Sequence, residues 1–474
     1  MLLTGAISLA YFAALNGIYV VFAAIAWNDI PRHLRSRRYS APDDAFGSPL
    51  TPGISVLVPA HNEETGIVES VRSLLALRYP VFEVIVVNDG STDGTLERLR
   101  DAFDLVTIRK AFRDRIRTAP VRTAYVSRRR PTLTVIDKEN GGKADALNAA
   151  ANAARHPYLC AIDADSVLEG DALLQVAKPI LDDPERVVAT GGILRIANGC
   201  TIDQGRVLEV GLPKSRLATM QVIEYFRAFL VGRVGLSRLN SLLIISGAFG
   251  LFDRALVEEV GGWWTATVGE DIELVLRLQR HLRERDEPYS IQFVPEPVCW
   301  TEAPETLRGL SLQRRRWHRG LAESLWRHRT MIGNPRYGVL GVFALPYFLV
   351  FELAAPLVEL AGPPLTIMWW ALGRLSTTFL VAFLVVAFLL GILLSIAALA
   401  LEEFSFRRHP HGRDVATMIW WSFWENVGYR QLTDLWRLAG LVDLVRRRKS
   451  WGAQQRVGFH LVAPQPVDGT KPEG

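Results

Sequence analysis

The fold of this 474-residue chain is indicated first by residues 84–92, which read VIVVNDGST. The run of β-branched residues predicts a buried strand, and the polar residues after it predict a turn. Similar runs occur at Ile54–Val58, Leu133–Ile136 and Leu159–Ile162. Helix-like stretches separate them, at 63–77, 93–103 and 144–154. This alternation predicts an α/β domain with a mostly parallel sheet covered on both faces.

Acidic residues follow two of these predicted strands, where each strand ends. Asp89 lies in VIVVNDGST, and Asp163 and Asp165 lie in AIDADS. Each is weak evidence alone, because Asp-Gly is an ordinary turn signal and a strand-end Asp often caps a helix. Ligands of open α/β sheets bind at the carboxyl ends of the strands. Two acidic strand ends in one sheet therefore predict a shared binding crevice.

The residue types around this crevice favour a diphosphate ligand. Asp163 and Asp165 are separated by one residue, so on an extended chain they point the same way. They suit a Mg²⁺ or Mn²⁺ ion whose shell is completed by nucleotide phosphates, and such an ion neutralises a leaving diphosphate. Lys143, in ENGGKADALN, begins a predicted helix whose amide groups favour anions. The spacings of a P-loop and of a G-x-G-x-x-G dinucleotide turn are absent from the sequence.

A third acidic site, VGEDIEL at residues 268–274, supplies the best candidate for a general base. Asp271 has Glu270 and Glu273 as neighbours, and repulsion between like charges favours proton uptake. The alternative is that this cluster only stabilises the amino-terminal end of a helix predicted at 271–281. The sequence leaves both interpretations open.

A fourth site, SLQRRRWHRG at residues 311–320, is basic rather than acidic, and Gln313, Arg316 and Trp317 stand out in it. The Arg316 guanidinium suits bidentate phosphate binding. The aromatic face of Trp317 suits the apolar face of a sugar ring, whereas the alternative for this residue is a position at the membrane boundary. The two interpretations are compatible.

Apolar residues are concentrated near the amino terminus and in the last third of the chain. Residues 5–27 are uncharged and long enough to cross a bilayer as a helix. Arginines follow this run, so a retained span with a cytoplasmic segment after it is favoured over a cleaved signal peptide. We expect a transmembrane helix at 1–30, a linker at 31–53, a cytoplasmic catalytic domain at 54–330, transmembrane and interfacial helices at 331–449, and a tail at 450–474.

The carboxyl-terminal third contains two runs of span length, at 338–361 and 376–401. The Trp-rich residues 415–429 suit either a further span or an interfacial helix. Glu352 and Glu359 are seven residues apart and would share one face of a continuous helix. Charges at such depth face a bundle interior or a polar path, so a polymer channel and a buried contact between helices are both open.

Composition limits the possible partners. Hydrophobic residues make up 49% of the chain and charged residues 22%, a mixture that suits a protein with a membrane part and an aqueous part. The net charge is +5, and residues 109–130 hold eight arginines and one lysine. Because no nucleic-acid-binding motif accompanies them, a basic face beside anionic lipid headgroups is favoured over nucleic-acid binding.

The three cysteines are widely spaced and form no C-x-x-C pair. A disulfide framework or a zinc site is therefore not expected. We predict that Cys160, Cys200 and Cys299 are buried, inert thiols.

Seven motifs across residues 54–320 occur in the order found in the membrane-bound, processive family-2 glycosyltransferases, such as the cellulose, hyaluronan, chitin and poly-N-acetylglucosamine synthases. The chain resembles these enzymes through VPAHNEE, VVNDGSTDGT, NGGKADALN, AIDADS, SGAFGLFDR, GEDIEL and QRRRW. The resemblance is strongest to poly-β-1,6-N-acetylglucosamine-type synthases, in SGAFGLFDR, TEAPETL and NPRYG. It implies a Rossmann-like GT-A fold and an inverting single displacement.

The resemblance also implies roles for individual residues. It implies Asp271 as the catalytic base and Asp165 as the direct ligand of Mg²⁺ or Mn²⁺. It implies substrate-binding roles for Glu63, Asp89, Lys143, Asp163, Gln313, Arg316 and Trp317. Glu63 and Asp89 belong to the nucleotide side, Lys143 and Asp163 lie near the diphosphate, and the last three match the Q-x-x-R-W motif where acceptor and diphosphate meet.

The same resemblance implies a multi-pass protein of the cell membrane with a cytoplasmic catalytic domain. Its donor is expected to be a UDP-sugar, and its product an exported polysaccharide of N-acetylglucosamine. Expected partners are membrane lipids and an accessory export subunit, with no nucleic acid. A non-processive transferase acting on a lipid-linked acceptor and an inactive scaffold that binds a sugar nucleotide are the alternatives.

Overall fold

The structure is a computed structural model that describes residues 2–39, 51–109, 112–203, 206–406 and 412–446. A sheet of ten strands forms the centre of these residues, in the order β3-β4-β5-β2-β1-β6-β11-β8-β12-β7, and a separate hairpin pairs β9 with β10. The strands are β1 (Ile54–Ala60), β2 (Phe82–Asp89), β3 (Leu105–Ile108), β4 (Val121–Ser127), β5 (Leu133–Lys138), β6 (Tyr158–Ile162), β7 (Val167–Leu168), β8 (Val187–Ile196), β9 (Thr201–Asp203), β10 (Arg206–Glu209), β11 (Phe249–Asp253) and β12 (Ser290–Thr301).

Most strands of the large sheet run in one direction. The parallel group is β5-β2-β1-β6, to which β3, β8 and β12 add, while β4, β11 and β7 run the opposite way. Strands β1 and β2 are almost wholly buried, as expected for strands covered on both faces. The predicted α/β domain with a mostly parallel sheet is confirmed, and all four predicted strands are present.

Helices cover the sheet and continue into the apolar segments. Those of the first two thirds are α1 (Leu2–Tyr39), α2 (Ile67–Leu75), α3 (Thr95–Phe103), α4 (Lys143–Ala153), α5 (Ala172–Asp182), α6 (Arg216–Tyr225), α7 (Val234–Arg238), α8 (Arg254–Glu259), α9 (Glu270–Glu284) and α10 (Leu307–Arg327), with π-helical Phe226–Arg233 between α6 and α7. The helix predicted at 63–77 begins only at Ile67, because the residues before it form a loop that bonds to the next strand end.

The last third consists of helices and short turns in its described part. It comprises 3-10 turns at Arg329–Met331 and Pro335–Tyr337, then α11 (Leu345–Tyr347), α12 (Ala355–Ala371), α13 (Thr377–Leu384), α14 (Leu390–Phe406), α15 (Gly412–Trp424) and α16 (Arg430–Val445), with π-helical Leu340–Ala344, Phe348–Leu353, Val385–Leu389 and Glu425–Tyr429 beside them. Two helical segments, Gly5–Arg35 and Thr377–Phe406, are long and apolar enough to cross a membrane. They match the spans predicted at 5–27 and 376–401.

The span predicted at 338–361 is not one straight helix. Leu340–Leu353 and Ala355–Ala371 meet at an angle of 52°, so the pair is either a broken span or a re-entrant loop. Pro356 lies in the first turn of the second helix, where its missing N–H costs no intrahelical bond. Pro363 and Pro364 follow inside that helix. The hydropathy of the sequence indicates the length of this apolar run but not the direction of the helix axis. It therefore did not predict the bend.

Two other predicted boundaries differ from the structure. The linker predicted at 31–53 is helical as far as Tyr39, since α1 continues through Pro31, and residues 40–50 lie outside the described part. The ambiguous segment 415–429 falls in α15 and the π-helical turn after it, and neither is long enough to be a candidate span. The predicted tail at 450–474 lies outside the described residues.

Candidate active site

The loops after β1 and β2 are held together at the carboxyl edge of the sheet by reciprocal hydrogen bonds. The Thr92 backbone N–H donates to Asn62 Oδ1 at 2.8 Å, and the Glu64 N–H donates to Asp93 Oδ2 at 3.1 Å. The Gly94 N–H donates in return to Glu64 Oε2 at 3.1 Å. Each loop thus satisfies the backbone groups of the other, which fixes the wall of the crevice.

Glu63, the predicted nucleotide contact, lies in this wall. Its backbone N–H donates to Thr95 Oγ1 at 2.9 Å, and its carbonyl accepts from the N–H groups of Gly66 and Ile67. The backbone of Glu63 is therefore fixed on both sides. Its role toward a nucleotide stays a prediction.

The carboxylate of Asp89 holds the loop after β5. It accepts from Lys138 Nζ at 2.6 Å and from the backbone N–H groups of Gly141 at 3.0 Å and Gly142 at 2.8 Å. Gly90 has φ of +63°, and a Cβ there would lie 2.7 Å from the Asn140 nitrogen, so the close approach of the two loops requires glycine. Asp89 is 3% exposed, and its hydrogen bonds hold the loop after β5 at the edge of the crevice. Direct contact between Asp89 and a uridine stays a prediction.

Lys138 was missed by the sequence reasoning. Its side chain is fully buried and its ammonium lies 2.6 Å from both Asp89 Oδ1 and Asp145 Oδ1. A lysine at the end of a buried strand, two residues before Asn-Gly-Gly, was the available signal. A buried ammonium requires carboxylate partners, which here come from the end of β2 and from the first turn of α4.

Lys143 joins the separate acidic motifs. From the first turn of α4 its ammonium reaches Asp163 Oδ1 at 2.5 Å and Glu270 Oε1 at 3.4 Å, and it donates to the Gly247 carbonyl at 3.2 Å. Burial alone lowers the pKa of Lys143, but the charges of Asp163 and Glu270 outweigh it and raise that pKa. The structure thus brings together AIDADS, NGGKADALN and GEDIEL.

Asp271 lies beside this cluster at the start of α9. Its Oδ2 accepts from the Gly247 N–H at 3.1 Å, and its Oδ1 accepts from the Ile272 N–H at 2.9 Å. Burial raises the pKa of neighbouring Glu270, while the ammonium of Lys143 opposes that rise. Asp271 therefore both stabilises the first turn of the helix and lies next to the cluster of Lys143.

Glu273 does not belong to this cluster, contrary to the expectation from sequence. Its side chain is fully buried and pairs with Arg277 at 2.7 Å and Arg327 at 3.2 Å. A spacing of two residues on a helix turns side chains to different faces, so Glu273 cannot act with Asp271 as proximity in sequence suggested.

Gly247 in the SGAFG segment was also missed. A Cβ at this position would lie 2.9 Å from Lys143 Nζ and 3.5 Å from Asp271 Oδ2. The backbone of Gly247 passes between the ammonium and the carboxylate and bridges them through its own carbonyl and N–H.

The candidate metal ligands in the crevice are the carboxylate oxygens of Asp163 and Asp165. Asp163 and Asp165 lie in the turn after β6, where the Ser166 N–H donates to the Asp163 carbonyl at 3.1 Å. Within the described ranges no group of three or more His, Cys, Asp or Glu side chains could hold a metal. Mg²⁺ is commonly bound by one or two carboxylates with substrate phosphates completing its shell, so this pair fits such an ion.

The QRRRW segment lies on α10, against the start of α9. Gln313 is buried, whereas Arg316 and Trp317 are exposed. A Cβ on Gly320 would lie 2.9 Å from the Gly269 Cα, so a contact between two glycines sets the separation of the two helices. This contact is three residues after Trp317 and two before Asp271 and brings the basic motif beside the acidic one.

Arg314, which the sequence reasoning did not single out, holds this motif from the other side. It donates two hydrogen bonds of 2.7 Å to Glu224 on α6, and its guanidinium lies 4.6 Å from the centre of the Trp317 ring. Tyr429 also donates to Glu224, at 2.8 Å. The orientation of Trp317 therefore depends on a charged pair with α6.

The two glutamates of the apolar region pair with one helix, α16. Arg437 Nη2 lies 3.1 Å from Glu352 Oε2, and Arg430 Nη2 donates to Glu359 Oε1 at 2.8 Å. Because the bend lies between Glu352 and Glu359, the argument from helical spacing does not apply. The interpretation as polar contacts between helices agrees with the geometry.

The cysteines Cys160, Cys200 and Cys299 are free and buried, as predicted.

The comparisons with known proteins agree with this arrangement. Residues 55–261 match the family described as Glycosyl transferase family 2. Poly-beta-1,6-N-acetyl-D-glucosamine synthase of Staphylococcus epidermidis is 31% identical over 278 residues, which are 58% of this chain and 56% of that protein. The Staphylococcus aureus (strain COL) protein of the same name is 32% identical over the same shares. The chain thus spans about half the length of the curated relatives it matches.

Among solved structures, a mannosyltransferase from Pyrobaculum calidifontis in complex with GDP-Man and Mn²⁺ aligns with a TM-score of 0.52 and 20% identity. The alignment covers 94% of this chain and 100% of that one. This likeness concerns the fold. The chain therefore shares the fold of this glycosyltransferase, and residues 55–261 are similar to the family-2 glycosyltransferases.

Proposed function

We propose that this protein is an inverting glycosyltransferase that polymerises N-acetylglucosamine from a UDP-sugar donor into an exported polysaccharide. The observation that carries the proposal is the ammonium of Lys143, which lies between Asp163, Glu270 and the Gly247 carbonyl, with Asp271 bound to the same glycine. An anion-binding cation and a carboxylate for proton removal therefore share one crevice. The identity to poly-beta-1,6-N-acetyl-D-glucosamine synthases supports the choice of sugar.

On the donor side, the roles follow from position and charge. Glu63 and Asp89 belong to the nucleotide end, where the interlocked loops form the wall. Lys143 and Asp163 lie at the diphosphate end. A Mg²⁺ or Mn²⁺ ion held by Asp165 together with Asp163 would neutralise charge on the leaving diphosphate.

On the acceptor side, Asp271 removes the proton of the acceptor hydroxyl. The hydroxyl oxygen then bonds to the anomeric carbon while the bond from that carbon to the diphosphate breaks, which inverts the configuration. The Gly247 N–H fixes the Asp271 carboxylate at 3.1 Å, so little reorientation is needed for proton transfer. Gln313, Arg316 and Trp317 orient the acceptor end and the diphosphate.

We propose a multi-pass location in the cell membrane, with the catalytic domain in the cytoplasm. Two long apolar helical segments and one bent pair support it, as do the arginines after the first segment. Membrane lipids are the expected surroundings and an accessory export subunit an expected partner, with no nucleic acid. The Arg-rich residues 109–130 suit an anionic surface.

The experiment uses the purified full chain with Mg²⁺ or Mn²⁺ and a panel of UDP-sugars, followed by measurement of product length. Long chains formed from UDP-N-acetylglucosamine are the expected result. A single sugar added to a lipid would reject polymerisation in favour of the lipid-acceptor alternative. Donor binding without turnover of any donor would favour the inactive scaffold.

A further inference from the structure

A second groove, separate from the crevice at the sheet edge, lies between the carboxyl-terminal half of α9 and the end of α10. Its volume is about 290 Å³, and it is lined by Val260, Arg277, Arg280, His281, Glu284, Arg327 and His328. At 1.5 Å per residue, Arg277 and Arg280 lie about 9 Å and 13 Å along the helix from Asp271. None of these side chains takes part in the proposed transfer.

The charges of the groove favour an anion. Three guanidinium groups and two imidazoles line it. Glu284, which pairs with Arg280 at 2.8 Å, and the buried Glu273, which pairs with Arg277 at 2.7 Å, balance two of these charges. One guanidinium charge is left in excess. The side chains of Arg280 and Arg327 are 38% and 39% exposed, so parts of both forks face the opening.

Buried nitrogen atoms at the base of the groove lack hydrogen-bond acceptors. His328 is 2% exposed, and neither of its ring nitrogens has a hydrogen-bond partner among the described residues. Its Nε2 lies 3.7 Å from Glu273 Oε1, which is beyond hydrogen-bond reach. Arg277 Nε is also buried without an acceptor. A neutral imidazole carries one N–H, so Arg277 Nε and one nitrogen of His328 are buried donors without an acceptor. Such donors are normally satisfied, and the oxygens of a ligand would supply the acceptors.

The groove also adjoins the apolar segment. Tyr337, in the 3-10 turn that precedes Leu340–Leu353, donates to Glu284 Oε1 at 2.9 Å. Trp326, the residue before Arg327, is 72% exposed, and the Arg329 guanidinium lies 5.1 Å from the centre of its ring. Exposed tryptophan beside arginine is typical of the membrane–water boundary.

We propose that this groove is a binding site for a phosphate-bearing anion, supplied either by an anionic lipid headgroup or by a soluble phosphate compound. Guanidinium forks match the oxygens of phosphate in geometry and charge. Because one wall belongs to α9, whose first turn carries Asp271, and another to α10, which carries Arg316, the ligand would join the two helices at a distance from the reaction.

The test measures binding to the full chain in a non-ionic detergent by titration calorimetry. One arm titrates short-chain phosphatidylglycerol, with phosphatidylcholine of the same chain length as the neutral reference. The other arm titrates pyrophosphate in the presence of EDTA, which suppresses metal-dependent binding at the crevice. Arg280→Gln and Arg327→Gln are compared with Arg72→Gln, which removes the same charge from an exposed residue of α2 that does not line the groove.

We expect saturable binding that Arg280→Gln and Arg327→Gln each weaken by about tenfold, as the loss of a charged hydrogen bond predicts. Arg72→Gln should bind as the unaltered chain does, and Arg280→Lys should recover part of the loss. Binding of the lipid alone identifies a headgroup as the source, and binding of pyrophosphate alone identifies a soluble anion. An equal loss in Arg72→Gln, or no saturable binding in either arm, would overturn the proposal.

Discussion

At the residue scale, each acidic motif of the crevice is neutralised by a lysine from another part of the chain. Lys138 lies against Asp89 and Asp145, and Lys143 lies between Asp163 and Glu270. Carboxylates gathered at one sheet edge would repel one another, and these two ammonium groups offset that repulsion. The lysines therefore explain how so many acidic side chains occupy one crevice.

Asp89→Ala should reduce the free energy of unfolding by about 3–5 kcal/mol, because it removes one partner of a buried ion pair and leaves two backbone amides without their acceptor. Thermal unfolding of the purified chain in detergent measures this change. Asp182→Ala, at an exposed residue that pairs with Lys178, is the matched control and should change little. Equal stability of the Asp89 and Asp182 variants would show that the loop after β5 does not depend on Asp89.

His318 predicts a dependence of stability on pH. Burial first, and the nearby charge of Arg437 second, lower the pKa of this imidazole to about 3 from an ordinary value of 6.5. Between these two pKa values, His318 therefore binds a proton in the unfolded chain but not in the folded chain. Stability contributed by neutral His318 is present above pH 6.5 and is lost as the pH falls toward 3, by up to about 1.4 kcal/mol per pH unit. The unfolding temperature of His318→Gln should fall less steeply with acidity than that of the unaltered chain. Identical slopes would contradict this account.

Sequence motifs identified most chemically important residues but not their contacts. Asp163, Lys143 and Asp271 were predicted, and the structure brings them to one place. That Asp89 would be enclosed by backbone amides was not predictable, because it depends on a loop 50 residues later in the chain. Arg314 looked equivalent to its two arginine neighbours until α6 was known to supply Glu224.

At the element scale, strands were predicted well because β-branched runs bounded by polar turns are local signals. Boundaries that depend on tertiary contacts were predicted less well. Helix α2 begins four residues later than predicted because Asn62 and Glu64 form hydrogen bonds with the loop after β2. The bend at Ala354 was missed because hydropathy indicates the length of an apolar run and not the direction of its helix. The packing of α9 on α10 through Gly269 and Gly320 likewise has no signal in either helix alone.

Gly320→Ala should increase the distance between α9 and α10. We expect a larger relative effect on the rate of sugar transfer than on the unfolding temperature. The added Cβ would lie 2.9 Å from the Gly269 Cα, and overpacking of this kind costs about 1–3 kcal/mol, partly offset by the better helix propensity of alanine. Initial rates and unfolding temperatures are to be measured together. Gly17→Ala, in α1 with open space at its Cβ, should keep full activity. An active Gly320 variant would show that this contact does not set the geometry of the site.

At the scale of the whole molecule, buried charge pairs connect the catalytic sheet to the apolar helices. Arg195 of β8 pairs with Glu402 of α14, and both side chains are almost fully buried. The Arg195 guanidinium also lies 5.6 Å from the centres of the Trp300 and Phe406 rings. The two parts of the chain are therefore joined by specific contacts in addition to chain connectivity.

Glu402→Gln should destabilise the folded chain by about 3–5 kcal/mol, since it leaves a buried guanidinium without its charged partner. The unfolding temperature in detergent and protease sensitivity at the junction report this loss. Glu287→Gln, which removes one partner of an exposed pair with Arg285, is the control and should change little. Unchanged unfolding of the Glu402 variant would mean that the pair does not hold the two parts together.

The central claim is that the crevice transfers a sugar with Asp271 as the base, and Asp271→Asn tests it most directly. The asparagine side chain can still accept from the Gly247 N–H but cannot take a proton. Transfer from UDP-N-acetylglucosamine and binding of the same donor are measured on the purified chain. The account predicts loss of transfer by at least about a hundredfold with donor binding retained. Full transfer activity in this variant would contradict it.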